Sequence, residues 1–217
     1  FAKKSELMIL GKVAKNKTGT RVRYWPDPQI FVKETAFDLK DLEDRARQTA
    51  FLVPGLVLSV VDKRSGKPTK QQFKFDGGIS EFVEYLAPDA ALTAIWRLRG
   101  ETEFTETVPV LDKKGNMVST EVTRKCEVDI ALRWGTGYET SFRSFVNVIA
   151  TPKGGTHVTG FEQGAVKAIR AEIEANSRKL KLGNDKVEKE DILAGLTAVV
   201  AVRLAEPQFE GQTKEIH

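Results

Sequence analysis

The residues best suited to chemistry lie close together near the end of the chain, in Glu206-Pro207-Gln208-Phe209-Glu210-Gly211-Gln212-Thr213-Lys214. An apolar run, Leu196 to Leu204, precedes them and reads as a buried strand, which makes them a strand exit. A lysine there is a compact point charge suited to a phosphate, and a glutamine amide beside it adds a hydrogen-bond donor. The plainer alternative is a polar loop at a domain end, since loops are polar for solvation reasons. Gly154-Gly155, ahead of a helical pattern, can cradle an anion on the orphan N–H groups of a helix start, or can simply be the tight turn that launches it. His157 beside them reads as a packing or capping residue, because nothing nearby in sequence orients it as a base. Thr18-Gly19-Thr20 can bring a hydroxyl to a ligand at a strand start, but the tripeptide is common. The sequence holds no clear paired carboxylates and no nucleophile–histidine pair. Its two histidines and one cysteine are too scattered for a zinc pattern.

The elements that must position these residues follow from periodicity and punctuation. Residues 1 to 19 form a basic stretch of little periodicity, and Thr20 to Trp25 alternates as a strand that Pro26-Asp27-Pro28 ends. Asp38 is the expected N-cap of a helix with Leu39, Leu42, Ala46 and Ala50 on one face, stopping near Leu52 before Pro54-Gly55. Leu56–Val61 and Gln71–Phe75 read as a hairpin, and Gly77-Gly78 as the clearest internal boundary. Beyond it, Ile79, Phe82, Val83 and Leu86 mark a short amphipathic helix. Strands are expected near 93–99, 104–110, 118–132 and 139–149, with hairpin turns at 112–116 and 134–138 and a polar surface excursion over 104–125. Val158, Phe161, Ala165, Ala168, Ile169 and Ile173 predict a long helix ending near Leu182, with Gly183 as its stop. Lys189–Leu193 is a short helical turn.

The 217 residues, 41% hydrophobic and 29% charged, suit one domain or somewhat more. No apolar run reaches the roughly 18 residues of a membrane span. A single cysteine, Cys126, cannot form an internal disulfide, and a cytoplasmic setting is the default expectation. The net charge of +4 is uneven: residues 1–24 carry +6, leaving −2 for the rest. The basic excess is therefore one arm, either solvated or phosphate-binding, and not a generally basic surface. Trp25, Trp96 and Trp134 fall in strand patterns and suit core or interface better than base stacking. The cations of the long helix, Lys167, Arg170, Arg178, Lys179 and Lys181, are interleaved with Glu172 and Glu174, which suits a solvated face, with DNA contact as the alternative.

Four stretches, in order, resemble the ATPase subunit of bacterial type II DNA topoisomerases, the family of the DNA gyrase and topoisomerase IV B subunits within the GHKL superfamily. They are Thr18–Asp27; Arg45–Leu56; Phe145–Ile149 with Gly154-Gly155-Thr156-His157 and Gly160-Phe161; and Asp191–Val200 running into Pro207–Lys214. The details are nearer the topoisomerase IV type. The resemblance implies an α+β chain. Residues 1–76 would be the C-terminal part of the GHKL (Bergerat) ATPase sandwich, and residues 77–217 a transducer domain like domain 2 of ribosomal protein S5.

It also implies a role for each site residue. Thr20 would lie near the adenine of ATP and its bound water. Gln212 and Lys214 would reach the γ-phosphate, coupling ATP binding and hydrolysis to dimer closure and passage of double-stranded DNA. The implied partners are DNA, the topoisomerase A subunit and a second copy of the ATPase subunit. The catalytic glutamate and the asparagine that holds Mg2+ precede the Thr-Gly-Thr segment in the family. The chain opens without a methionine in mid-pattern, so it is expected to be a fragment, with no catalytic residue of its own and no ATPase activity alone. Two alternatives stand beside this reading: a GHKL chaperone or mismatch-repair clamp, against which the Glu206–Lys214 stretch argues, and an S5-like nucleic-acid-binding module, against which the −2 balance argues.

Overall fold

A computed structural model describes residues 8–27, 29–31, 36–111, 115–181 and 186–207. The chain divides into two compact units, Phe1–Phe37 and Asp38–His217.

In the first unit the expected strand at Thr20–Trp25 is absent: its residues are exposed and unladdered. A strand is completed only by hydrogen bonds to a neighbour, and no described segment of this unit offers one. Tyr24 packs edge-on to Phe37, with centroids 6.4 Å apart, and the Arg23 guanidinium lies over the Trp25 ring at 4.7 Å.

The second unit begins as expected. The Asp38 carboxylate accepts the Asp41 N–H and caps α1 (Leu39–Leu52), which ends on Ala50, Phe51 and Leu52, all buried. A hairpin follows, β1 (Leu58–Asp62) paired antiparallel with β2 (Thr69–Phe73), so the second strand lies two residues earlier than the expected Gln71–Phe75. Gly78, at φ 65°, is the left-handed residue that turns the chain into α2 (Ile79–Leu86).

The main sheet is built from β3 (Trp96–Leu111), β4 (Met117–Trp134), β5 (Ser141–Val146), β6 (Ile149–Ala150) and β7 (Leu196–Leu204), in the order β3-β4-β7-β5-β6. Between β6 and β7 lie α3 (Thr156–Ala175), α4 (Ser177–Leu180) and α5 (Lys189–Leu193). β7 runs antiparallel to β4 and parallel to β5, so the last strand inserts between two that are consecutive in sequence. Residues 134–138 are therefore a crossing between separated strands and not the expected hairpin turn. Gly195, at φ 71°, lets the chain enter β7 against that crossing: a Cβ there would stand 2.5 Å from the Gly137 carbonyl oxygen.

The alternation of side chains divides the sheet between two cores. Ala131, Val199 and Phe145 face α1 and α2, where Phe51, Phe82 and Val83 close the cluster. Leu132, Ala198 and Leu196 face the other way, against Phe142, Phe161 and Leu193. β7 is buried on both faces from Leu196 to Val200, which explains its unbroken apolar run.

Two expected strands, 93–99 and 104–110, are one. β3 and β4 form a continuous antiparallel ladder from Trp96↔Leu132 to Leu111↔Met117. β7 pairs with β4 only from Cys126 to Trp134, so the outer half is a two-stranded ribbon. The expected excursion is there, but as ordered pairing. α3 is shorter than its pattern: it ends at Ala175, where the Asn176 amide donates to the Glu172 carbonyl at 2.9 Å. A side chain that competes for helical carbonyls in this way ends a helix. Gly183, the expected stop, lies outside the described residues. Among the described residues no helix is long and apolar enough to cross a membrane.

Candidate functional site: the exit of β7

The strand leading to the candidate phosphate-binding residues is held on both sides at its end. On the β5 side, the chain reverses between Val146 and Ile149 through Asn147 (φ 47°) and Val148 (φ 71°), a two-residue turn with both residues in the left-handed region. A β-branched residue is strained there. The turn is fixed by hydrogen bonds to β7. The Asn147 N–H donates to the Val202 carbonyl at 3.0 Å, its Nδ2 donates to the Leu204 carbonyl at 2.7 Å, and its Oδ1 accepts the Leu204 N–H at 2.9 Å. The amide thus mimics one more peptide of a neighbouring strand.

On the β4 side the ladder ends at Cys126↔Leu204; two positions further in the same register, past Lys125 and Ala205, a rung would set Arg124 opposite Glu206. Side chains make that rung. Arg124 Nη2 donates to Glu206 Oε2 at 2.5 Å, while Arg124 Nε donates to Glu106 Oε2 on β3 at 2.8 Å. Gln212 and Lys214 come a few residues later and lie outside the described residues; Thr20 sits exposed in the first unit. The described structure brings none of the three expected site residues together. Neither Arg124 nor Asn147 stands out in sequence as a site residue. The signal for both is positional: each sits beside the end of β7, which only the strand order reveals.

The Gly154-Gly155 start of α3 is a packed junction. Ser144 Oγ donates to the Thr151 carbonyl at 2.9 Å, and Thr151 Oγ1 lies 3.1 Å from His157 Nε2. Ser144 and Thr151 are buried, and the histidine ties the helix start to the sheet, as the packing reading expects.

On the α1/α2 face, Arg97 makes a bidentate pair with Asp129 at 3.0 and 2.8 Å and donates to the Gly77 carbonyl at 3.2 Å. Burial pushes the Asp129 carboxyl up, but the hydrogen bonds and charges of Arg97 and Arg99 outweigh it and hold the group below its usual range. On the opposite face an apolar groove of about 750 Å3 lies between α3 and the sheet, lined by Phe161, Ala165 and Ala168 on the helix and Leu98, Phe104 and Ile130 on the strands. Trp96 and Trp134 also line it, edge to face at 5.7 Å, and Trp134 Nε1 donates to the Ile192 carbonyl at 2.8 Å. Trp25 lies exposed in the first unit. Among the described residues no three His, Cys, Asp or Glu side chains gather to hold a metal.

Comparison with known proteins places this arrangement. Residues 78–216 match the family model of DNA gyrase B. The DNA gyrase B protein of Campylobacter jejuni is 39% identical over 211 residues, 97% of this chain and 24% of that protein. Its Streptococcus pyogenes counterpart is 35% identical over 215 residues, again 97% of this chain and 29% of the relative. The chain thus spans roughly a quarter of the length of these curated relatives. Among solved structures, the 43K ATPase domain of Thermus thermophilus gyrase B, determined with an aminocoumarin, superposes with TM-score 0.58 at 30% identity, over 86% of this chain and 44% of that one. The ATP-binding domain of Francisella tularensis topoisomerase IV, determined with a small-molecule inhibitor, gives TM-score 0.58 at 27% identity, over 88% and 45%. The mixed α+β fold is therefore that of gyrase B and topoisomerase IV ATPase regions, and a family match that takes in the main sheet, its helices and the residues that follow β7 shows that the chain belongs to the DNA gyrase B family.

Proposed function

We propose that this chain is part of the ATP-hydrolysing B subunit of a type II DNA topoisomerase, and that it carries the element that senses the γ-phosphate of ATP. One observation carries the reading: the family match runs through residue 216, so it includes Gln212 and Lys214 together with the strand that delivers them. In this proposal residues 1–76 are the C-terminal part of the GHKL (Bergerat) ATPase domain and residues 77–217 are an S5-like transducer. The start of the match at residue 78 supports that division, and the parallel β5–β7 pair joined through α3 supports the S5 likeness. α1 and the β1–β2 hairpin are then the piece of the first domain that packs on the second.

ATP is the substrate, with Thr20 near its adenine and Gln212 and Lys214 at its γ-phosphate. Lys214 supplies a point charge and Gln212 a donor amide, contacts that exist while the γ-phosphate is present and vanish on its departure. A ligand shifts a conformational equilibrium only by such a differential contact. A charge-assisted hydrogen bond contributes about 1.5–3 kcal/mol, enough to bias a two-state domain arrangement by tenfold or more. ATP binding thus favours closure of a dimer of the ATPase subunit around a DNA segment, and hydrolysis releases it. Mg2+ is the cofactor that would support hydrolysis. Double-stranded DNA and the A subunit, met in the cytoplasm, are the remaining partners. The topoisomerase IV type is preferred over the gyrase type.

In the full-length protein, Lys214→Ala is expected to reduce ATP turnover at least about a hundredfold, in line with the loss of a positioned charge at a developing anion, with an unchanged circular dichroism spectrum. Wild-type turnover in that variant sinks the sensor role.

A further inference from the structure

We infer that Arg124, together with Asn147, is a positioning device for the Gln212–Lys214 loop: a two-sided clamp that sets the direction in which the chain leaves β7. The inference rests on the phosphate-sensing reading of that loop and adds the residues that aim it.

If Gln212 and Lys214 meet a phosphate held elsewhere, as the proposed function has it, their reach depends on the direction in which the chain leaves β7. Errors of about 1 Å at a reacting centre can cost up to a hundredfold in rate. The backbone ladder does not supply that direction, because β7 stops pairing with β4 at Leu204. Two side chains continue the ladder where the backbone cannot. Asn147 closes both hydrogen-bonding positions of Leu204 from the β5 side, and does so from a turn whose Val148 is held at φ 71°. A strained turn persists when its surroundings over-determine it, and three hydrogen bonds to β7 do that here. Arg124 stands two register positions beyond the last β4–β7 pair and grips Glu206, immediately before Pro207.

The guanidinium is in turn oriented by Glu106, so its planar fork spans β3, β4 and the exit of β7. Lysine, a single-point donor, cannot serve both carboxylates with that geometry. The β3–β4 ribbon thereby gains a purpose. Arg124 lies on its part beyond β7, outside both cores, with its side chain only 13% exposed because the two carboxylates enclose it.

The test uses the full-length protein. Arg124→Gln and Glu206→Gln each lower kcat for ATP hydrolysis about five- to tenfold, as expected of a misaimed group, while KM for ATP moves less than about twofold. The double variant is no worse than the poorer single, because both remove the same bond. Arg124→Lys recovers part of kcat. Glu206 is 73% exposed at its side chain, so Glu206→Gln should fold, and its thermal midpoint should match wild type. Wild-type kcat in either single overturns the clamp, as does a double variant whose loss is the product of the two. Lys214→Ala is measured alongside. If it turns over ATP at the wild-type rate, the sensor reading itself fails; if it is impaired while Arg124→Gln is not, the clamp alone fails.

Discussion

Asp129 and Arg97 form a half-buried bidentate pair across the sheet, and their behaviour with pH follows from its sign. The folded carboxyl titrates below its ordinary range, despite burial that opposes this. Its contribution is complete above the unfolded value of about 4 and fades as the pH falls through the lower folded value. Asp129→Asn is therefore expected to cost about 1–2 kcal/mol at pH 7, discounted for partial exposure, with the difference from wild type closing as the pH falls below the unfolded value of about 4 and through the lower folded value. Urea titrations at pH 7 and pH 3 check this; equal losses at both contradict it. Single residues are the hardest scale to read from sequence. Lys214 and Gln212 are conspicuous because their chemistry is explicit, but Arg124 is one charged residue in a polar strand. Its importance lies in standing opposite Glu206 across 82 residues of chain.

Helices and punctuated turns are legible because local residues decide them. The Asp38 cap, the end of α1 before Pro54 and the apolar face of α2 all form where the pattern puts them. Thr20–Trp25 fails as a strand because alternation shows that a segment can pair, not that a partner is at hand. Residues 134–138 mimic a hairpin turn, yet β5 pairs with β7, a strand some 50 residues later, which periodicity cannot see. One element-scale prediction comes from the stack that joins α1 to α2. Phe51 lies between Phe75 and Phe82, at centroid distances of 3.6 and 4.7 Å, and is 2% exposed. Phe51→Ala should cost about 3–5 kcal/mol by cavity formation and lost transfer energy. A loss under about 1 kcal/mol in denaturant would mean that α1 is not part of the α2 core.

At the scale of the whole molecule, the family is legible from the four stretches quoted, because each keeps chemically specific residues at fixed order. Which surface the proposed DNA partner would meet is not, since the basic excess lies in residues 1–24. The central proposal is that this chain converts the presence of a γ-phosphate into closure of a dimer through Lys214. Sedimentation velocity of the full-length protein, with and without a non-hydrolysable ATP analogue, tests it most directly. The wild-type protein should shift from monomer to dimer with the analogue, and Lys214→Ala should remain monomeric at the same analogue concentration. A wild-type protein that stays monomeric, or a variant that dimerises as fully as wild type, would contradict it.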